Sequence, residues 1–256
     1  MPLQRLIDKI RNNEVILWTG AGFSLYAGMP NVNKIQEEIL NLCTEEEREY
    51  LQKINDLSDM TGNFVEMRNG SRNDLNRVLN KIINIDPISL STHNLLTEIP
   101  QINTIVTTNY DTLFEEAYGR SLSTIIQNSN IPYVDDRQVK LYKIHGDIKQ
   151  PDTIIITKND YTNFFRRENE PIWNKIKSLI AEKTILFVGY SLSDQNIDYL
   201  LDNVIANLGD NMKESFLVTP NLPRHKVNAL SQKKVEYIPM TGEELVKTIH
   251  TEIKKK

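Results

Sequence analysis

Cysteine is almost absent: Cys43 stands alone among 256 residues. That excludes an internal disulfide and any zinc centre built from cysteine pairs. No apolar run approaches the roughly 20 residues that a membrane-spanning helix needs. The opening MPLQRLIDKIRNNE reads as an amphipathic helix with Leu3, Leu6, Ile7 and Ile10 on one face, not as an apolar export signal, so the expected location is cytoplasmic. Positive charge is not in excess either. Thirty Lys and Arg against 34 Asp and Glu leave a net charge of -4, which gives no global attraction to polyanions and argues against direct nucleic-acid binding by this chain alone. Glycine and proline number only ten each, against 39% hydrophobic and 25% charged residues; this composition excludes a low-complexity chain and suits a folded one with a sizeable core.

What is present is an alternation. Short apolar or β-branched runs occur at Val15 to Trp18, Ile102 to Thr107, Val139 to Ile144, Thr184 to Val188, Ser215 to Thr219 and Val235 to Ile238. Helical patterns separate them, at Asp111 to Tyr118, Pro171 to Ala181, Asp194 to Leu208, Pro223 to Leu230 and Gly242 to Ile253. Strands of this kind are buried on both faces, so the pattern predicts an α/β fold: a Rossmann-like open parallel sheet with helices on both sides. The whole chain, 1–256, reads as one such domain. Residues 32–90 break the alternation with Glu/Leu/Ile periodicity and no strand, and read as a small helical insert. Its charge run Glu45 to Glu49 reads as a solvated helix face.

Four strand ends carry polar turns, three of them with glycine. After the first comes Gly20-Ala21-Gly22-Phe23-Ser24-Leu25-Tyr26-Ala27-Gly28-Met29-Pro30, where small residues allow close backbone approach and helix-start amides can donate to a phosphate. A bare Gly-x-Gly is also an ordinary tight turn; its place after the first strand favours phosphate binding. After the second comes Thr107-Thr108-Asn109-Tyr110-Asp111, with Asn109 and Asp111 equally explained as helix caps. After the third comes Lys143-Ile144-His145-Gly146-Asp147, where His145 suits a general base if it faces a cleft. The fourth is Gly189-Tyr190-Ser191-Leu192-Ser193-Asp194, with hydroxyls for a phosphate or ribose and Asp194 as a cap. Ligands of open parallel sheets bind at such carboxyl ends.

The order of these motifs resembles the sirtuin superfamily: a GAG-S-AG-P loop, an Asn segment, His-Gly, then Gly-x-Ser, together covering nearly the whole chain. The resemblance implies that Gly20, Ala21, Gly22, Ser24, Thr108 and Asp111 line an NAD site, that Asn109 lies beside the nicotinamide ribose, and that His145 is the catalytic base. It further implies that Gly189 and Ser191 hold the phosphate or adenosine side. Protein-deacylating sirtuins continue the first loop as Pro-Asp-Phe-Arg, whereas Pro30 is followed by Asn31-Val32-Asn33. They also carry two CxxC pairs for structural zinc, which a single cysteine excludes, and a Phe-Gly-Glu peptide-binding strand that is missing between His145 and Gly189.

In its place stands Ile155-Ile156-Thr157-Lys158-Asn159-Asp160-Tyr161, which looks like the zinc-free sirtuin-like domains of bacterial antiphage defence. That resemblance implies an NAD hydrolase that takes NAD as substrate, needs no metal, and acts as a homo-oligomer or with a sensor, an Argonaute-like protein or a DNA translocase. The alternatives are an NAD-dependent protein deacylase and a non-catalytic NAD or ADP-ribose binding module.

Overall fold

The computed structural model describes residues 1–166, 170–190 and 213–255. Seven parallel strands form one sheet: β1 (Val15–Thr19), β2 (Thr104–Thr107), β3 (Leu122–Ile125), β4 (Val139–Lys143), β5 (Thr184–Val188), β6 (Ser215–Val218) and β7 (Val235–Ile238), in the order β3-β4-β2-β1-β5-β6-β7. The chain runs outward from β1 through β2 to the β3 edge, then returns to the other side of β1 through β5. The crevice outside the carboxyl ends of β1 and β5 is therefore the switch point at which ligands of such sheets bind.

Six of these strands are the apolar runs of the sequence. The seventh, β3, was not expected from the sequence. Its LSTI is an edge strand whose burial alternates; only Ile125 is both apolar and buried, so no apolar run announces it. Residues Asp194 to Leu208, expected to be helical, lie outside the described residues, as do Ser191, Ser193 and Asp194.

Alternation along the central strands sends side chains to two cores. Ile16, Trp18, Val106, Tyr142, Ile185 and Phe187 face one side, where α9 (Pro171–Glu182) covers them with Ile172, Trp173, Ile176 and Ile180. Val15, Leu17, Ile105, Leu141, Leu186 and Val188 face the other. There they meet α1 (Pro2–Arg11) through Leu6 and Ile10, α7 (Leu113–Tyr118) through Phe114, and the C-terminal helix Gly242–Lys254 through Leu245, Val246 and Ile249. Trp18, Phe187 and Phe216 are fully buried, and each such side chain contributes roughly 1.5–3 kcal/mol of transfer free energy. Parallel strands with both faces covered are the reason that these runs are apolar throughout.

Residues 32–83 form four helices, α2 (Val32–Leu40), α3 (Glu45–Leu51), α4 (Leu57–Met67) and α5 (Asn73–Ile83). Side-chain caps fix three of the starts: Asn31 accepts from the Lys34 amide, Thr44 forms a capping box with Glu47, and Asp56 accepts from the Ser58 and Asp59 amides. Their apolar faces make a third cluster of Ile35, Ile39, Leu51, Phe64, Leu75 and Leu79, which also takes in Ile148, Ile154 and Ile156 from the segment after β4. The helical module is thus bonded by apolar contact to the stretch that follows His145.

Candidate active site

Strand register determines which turns meet. Thr19 pairs with Thr107 on one side and Val188 on the other, and Thr107 pairs with Lys143. Gly20, Thr108, Ile144 and Gly189 therefore leave the sheet at one level, with Asn109 and His145 one residue beyond, on adjacent strands. The sheet so gathers four of the turns singled out by sequence at one edge.

The glycine loop folds as two short 3-10 turns, Ala21–Phe23 and Leu25–Ala27. Its glycines are explained first by a neighbour. The Gly22 amide donates to the Gly189 carbonyl at 2.9 Å, and the Gly20 amide to the Val188 carbonyl at 3.1 Å. A Cβ on Gly20 or Gly22 would stand 2.7 or 2.8 Å from the Gly189 oxygen, too close for any side chain. Gly189 itself has φ +64°, and a Cβ there would fall on the Phe23 backbone nitrogen. Gly20 is buried, Gly189 is half-buried, and the Ala21-Gly22 peptide is the exposed face of the loop.

Ser24 lies behind that face, 1% exposed. Its hydroxyl accepts from the Asn109 side-chain amide at 3.0 Å, and the same amide donates to the Gly20 carbonyl at 3.1 Å. Asn109 is thereby not a helix cap but a clamp across two turns. Its own backbone amide donates to the Thr107 hydroxyl at 3.1 Å, which donates in turn to the Thr19 carbonyl at 3.3 Å. Thr108, part-exposed, joins β1 through its amide to the Thr19 carbonyl at 3.2 Å. Asp111 is buried, and its carboxylate accepts from the Leu113 amide at 3.2 Å, closing the turn that leads into α7, whose N-cap is Thr112. Burial pushes this carboxyl above the usual aspartate range, opposed by Lys143 and by a hydrogen bond with Ser24.

His145 is 3% exposed and sits edge-on to Tyr161 and Phe164 of α8 (Lys158–Arg166), at centroid distances of 5.5 and 5.7 Å. Its carbonyl accepts from the Ile155 amide at 3.0 Å, and the Ile155 carbonyl accepts from the Tyr110 hydroxyl at 2.7 Å. Gly146 turns at φ +90°, where a Cβ would collide with the Thr153 carbonyl. The Ile155 to Tyr161 stretch therefore packs along the His145 turn. Asp160 in it accepts from the Ile156 and Thr157 amides at 3.1 and 2.8 Å and pairs with Arg72 of the helical module at 2.7 Å.

A second buried histidine, His93, lies beneath the glycine loop; by sequence it sits in a helical pattern, without the strand-end setting of His145. His93 is fully buried on α6 (Ser91–Thr97), and its Nδ1 meets the Tyr26 hydroxyl at 2.5 Å. Phe23 and Phe114 pack against its ring at 5.0 and 4.6 Å. Burial drives its pKa down to about 3, so it is neutral and structural at physiological pH. Among the described residues no group of three or more His, Cys, Asp or Glu is placed to hold a metal.

A sheet edge of this design, with an exposed glycine peptide beside a clamped Asn and a covered His, suits an extended ligand that lies across several strand ends. The chain is 28% identical over 220 residues to the NAD(+) hydrolase ThsA of Acinetobacter baumannii, covering 84% of this chain and 44% of that one. It is 28% identical over 212 residues to the NAD(+) hydrolase ThsA of Bacillus cereus, covering 79% and 43%. It is 25% identical over 230 residues to Defense-associated sirtuin 2 of Bacillus subtilis, covering 84% and 22%. The chain thus spans less than half the length of each of these relatives. Two solved structures share the fold: a Sir2 enzyme, with TM-score 0.57 at 12% identity over 99% of this chain and 97% of the other, and a Sir2 homologue in complex with NAD, with TM-score 0.56 at 13% identity over 98% and 94%. The SIR2-like domain model matches residues 103–238, more than half of the sequence, and the chain belongs to the SIR2-like domain family.

Proposed function

We propose that this chain is an NAD hydrolase that releases nicotinamide and ADP-ribose, and that it serves as the NAD-depleting part of an antiphage defence system. The observation that carries the reading is the level placement of Asn109 and His145 on neighbouring strands beside the exposed Ala21-Gly22 peptide. Relatives named NAD(+) hydrolase, aligned along four fifths of this chain, support it.

In this reading the pyrophosphate lies along the Ala21-Gly22 face, close to Thr108 and Gly189. Asn109 orients the nicotinamide ribose, and Ser24 and Asp111 act from behind by fixing the Asn109 turn. The reaction breaks the bond between ribose C1′ and the pyridinium nitrogen. The bonding pair leaves with nicotinamide, which becomes neutral and needs no general acid. Water forms the new bond to C1′ and gives its proton to His145, which passes it to solvent. The main demands on the protein are to position water and to stabilise a cationic ribose centre, tasks suited to a polar uncharged Asn and a neutral imidazole.

The test is to incubate the protein with NAD, with and without an acetylated peptide, and identify products by mass spectrometry. Free ADP-ribose without peptide is the expected result. A product formed only with peptide would make the chain a deacylase, and binding without turnover would make it a sensing module. Asn109→Ala and His145→Ala are each expected to abolish NAD loss while circular dichroism stays that of the parent.

A further inference from the structure

Lys143, two residues before His145, has a side chain with no solvent exposure. Its ammonium donates to the Asp111 carbonyl at 2.5 Å, to the Tyr110 carbonyl at 3.3 Å, to Glu115 Oε1 at 3.2 Å, and to the Asp147 carboxylate. A lysine is almost never fully buried unless paired. Stability alone does not account for it, because replacing a buried ion pair by apolar residues of similar volume is often neutral or stabilising. Nor does the proposed chemistry use it, since the ammonium is sealed from the edge where ligand would lie.

Glu115 lies on α7, and the other three acceptors belong to the two turns that matter to the site. Two are carbonyls of the turn that carries Asn109. The carboxylate partner Asp147 belongs to the turn that carries His145. Asp147 is anchored in its own loop, its carboxylate accepting from the Lys149 amide at 2.7 Å and its amide donating to the Thr153 hydroxyl at 3.1 Å. The Tyr110 carbonyl also accepts from the Ile148 amide at 2.9 Å, so the two turns meet at the backbone, and the ammonium bridges them from beneath. Three donors radiating from one point can hold several acceptors at once, which no apolar side chain can do.

We propose that Lys143 is a positioning residue that sets the Asn109 turn against the His145 turn, a role that rests on reading those two as the catalytic pair. Displacing reacting groups by about 1 Å can cost on the order of 100-fold in rate. Lys143→Met should therefore lower kcat for NAD about 100-fold with KM little changed, because the glycine loop is not among its partners. It should also lower Tm, since Asp147 loses its counter-charge in a buried place.

The double variant Lys143→Met with Asp147→Leu separates positioning from charge burial: Tm should recover in part, since Glu115 and the two carbonyls still lack the ammonium, and kcat should not. Recovery of kcat together with Tm would overturn the proposal. A second readout needs no turnover. The Asn109 side-chain amide and His145 ring signals in heteronuclear NMR should both move in the double variant, and unmoved signals would overturn the proposal as well. If the wild type does not hydrolyse NAD while those signals move, the hydrolase reading falls and the positioning role of Lys143 stands.

Discussion

Gly189 meets the glycine loop so closely that its missing side chain is a condition of the site. Gly189→Ala would force an L-residue into φ +64° and drive a Cβ into the Phe23 backbone. The conformational part alone costs roughly 1–2 kcal/mol, and the clash adds to it by moving the loop. The expected outcome is a lower Tm together with a raised KM for NAD, read by thermal melting and by nicotinamide release. His93 gives a second prediction at this scale. Its folded pKa near 3 lies below the ordinary value of 6.5, so in the window between them the unfolded chain takes up the proton and the folded one does not. Stability from this residue is intact above about pH 6.5 and declines as pH falls, by about 1.4 kcal/mol per unit well inside the window. His93→Phe should flatten that part of the pH profile in chemical denaturation. Neither residue's setting was legible beforehand. Sequence marks Gly189 as a turn glycine and His93 as helical, and only the packing of Phe23 against both explains them. Lys143 could have been found, since a lysine in a strand buried on both faces has no route to solvent.

The strands were legible and the connections less so. Trp18, Phe187 and Phe216 advertise central strands because both faces are covered, whereas β3 hides behind Ser123 and Thr124. The site turns are legible as motifs, but not the use each atom makes of its neighbours: by sequence Asn109 suits a helix cap, and it spans Gly20 and Ser24 instead. The segment Ile155 to Tyr161 was legible only as a replacement for a missing motif. Its Asp160 now explains it, tying the start of α8 to the helical module through Arg72. Burial pushes the Asp160 carboxyl up, but the Arg72 guanidinium and the Thr157 and Ile156 amides outweigh it and hold the group below its ordinary value. Arg72→Ala should cost roughly 1.5–3 kcal/mol at pH 7, the range for hydrogen bonds to charged groups. A carboxylate with a depressed folded pKa contributes above its unfolded value, about 3.9, and loses that contribution as pH falls through the folded one. The stability gap between wild type and Arg72→Ala in denaturant titrations should therefore close below about pH 4.

At the scale of the whole molecule, the open parallel sheet and its helical layers follow from composition and alternation alone, while what surrounds the chain does not. The match covers less than half of the ThsA relatives, and on the proposed function a cell must survive its own NAD hydrolase. Low turnover by the isolated chain, rising with self-association or with a partner, is the expectation. Activity measured across a protein concentration series, alongside mass from light scattering, checks it; a specific activity constant from monomer to oligomer would remove self-association as the trigger. The fold offers a route for such control. Ile148, Ile154 and Ile156 belong to the chain just after His145 and also to the core of the four-helix module. On the proposed function, in which His145 is the base, those three shared side chains are expected to couple the order of the module to the order of the base. Linkage then runs both ways: whatever grips the module steadies the base, and substrate held near the base stiffens the module by the same free energy.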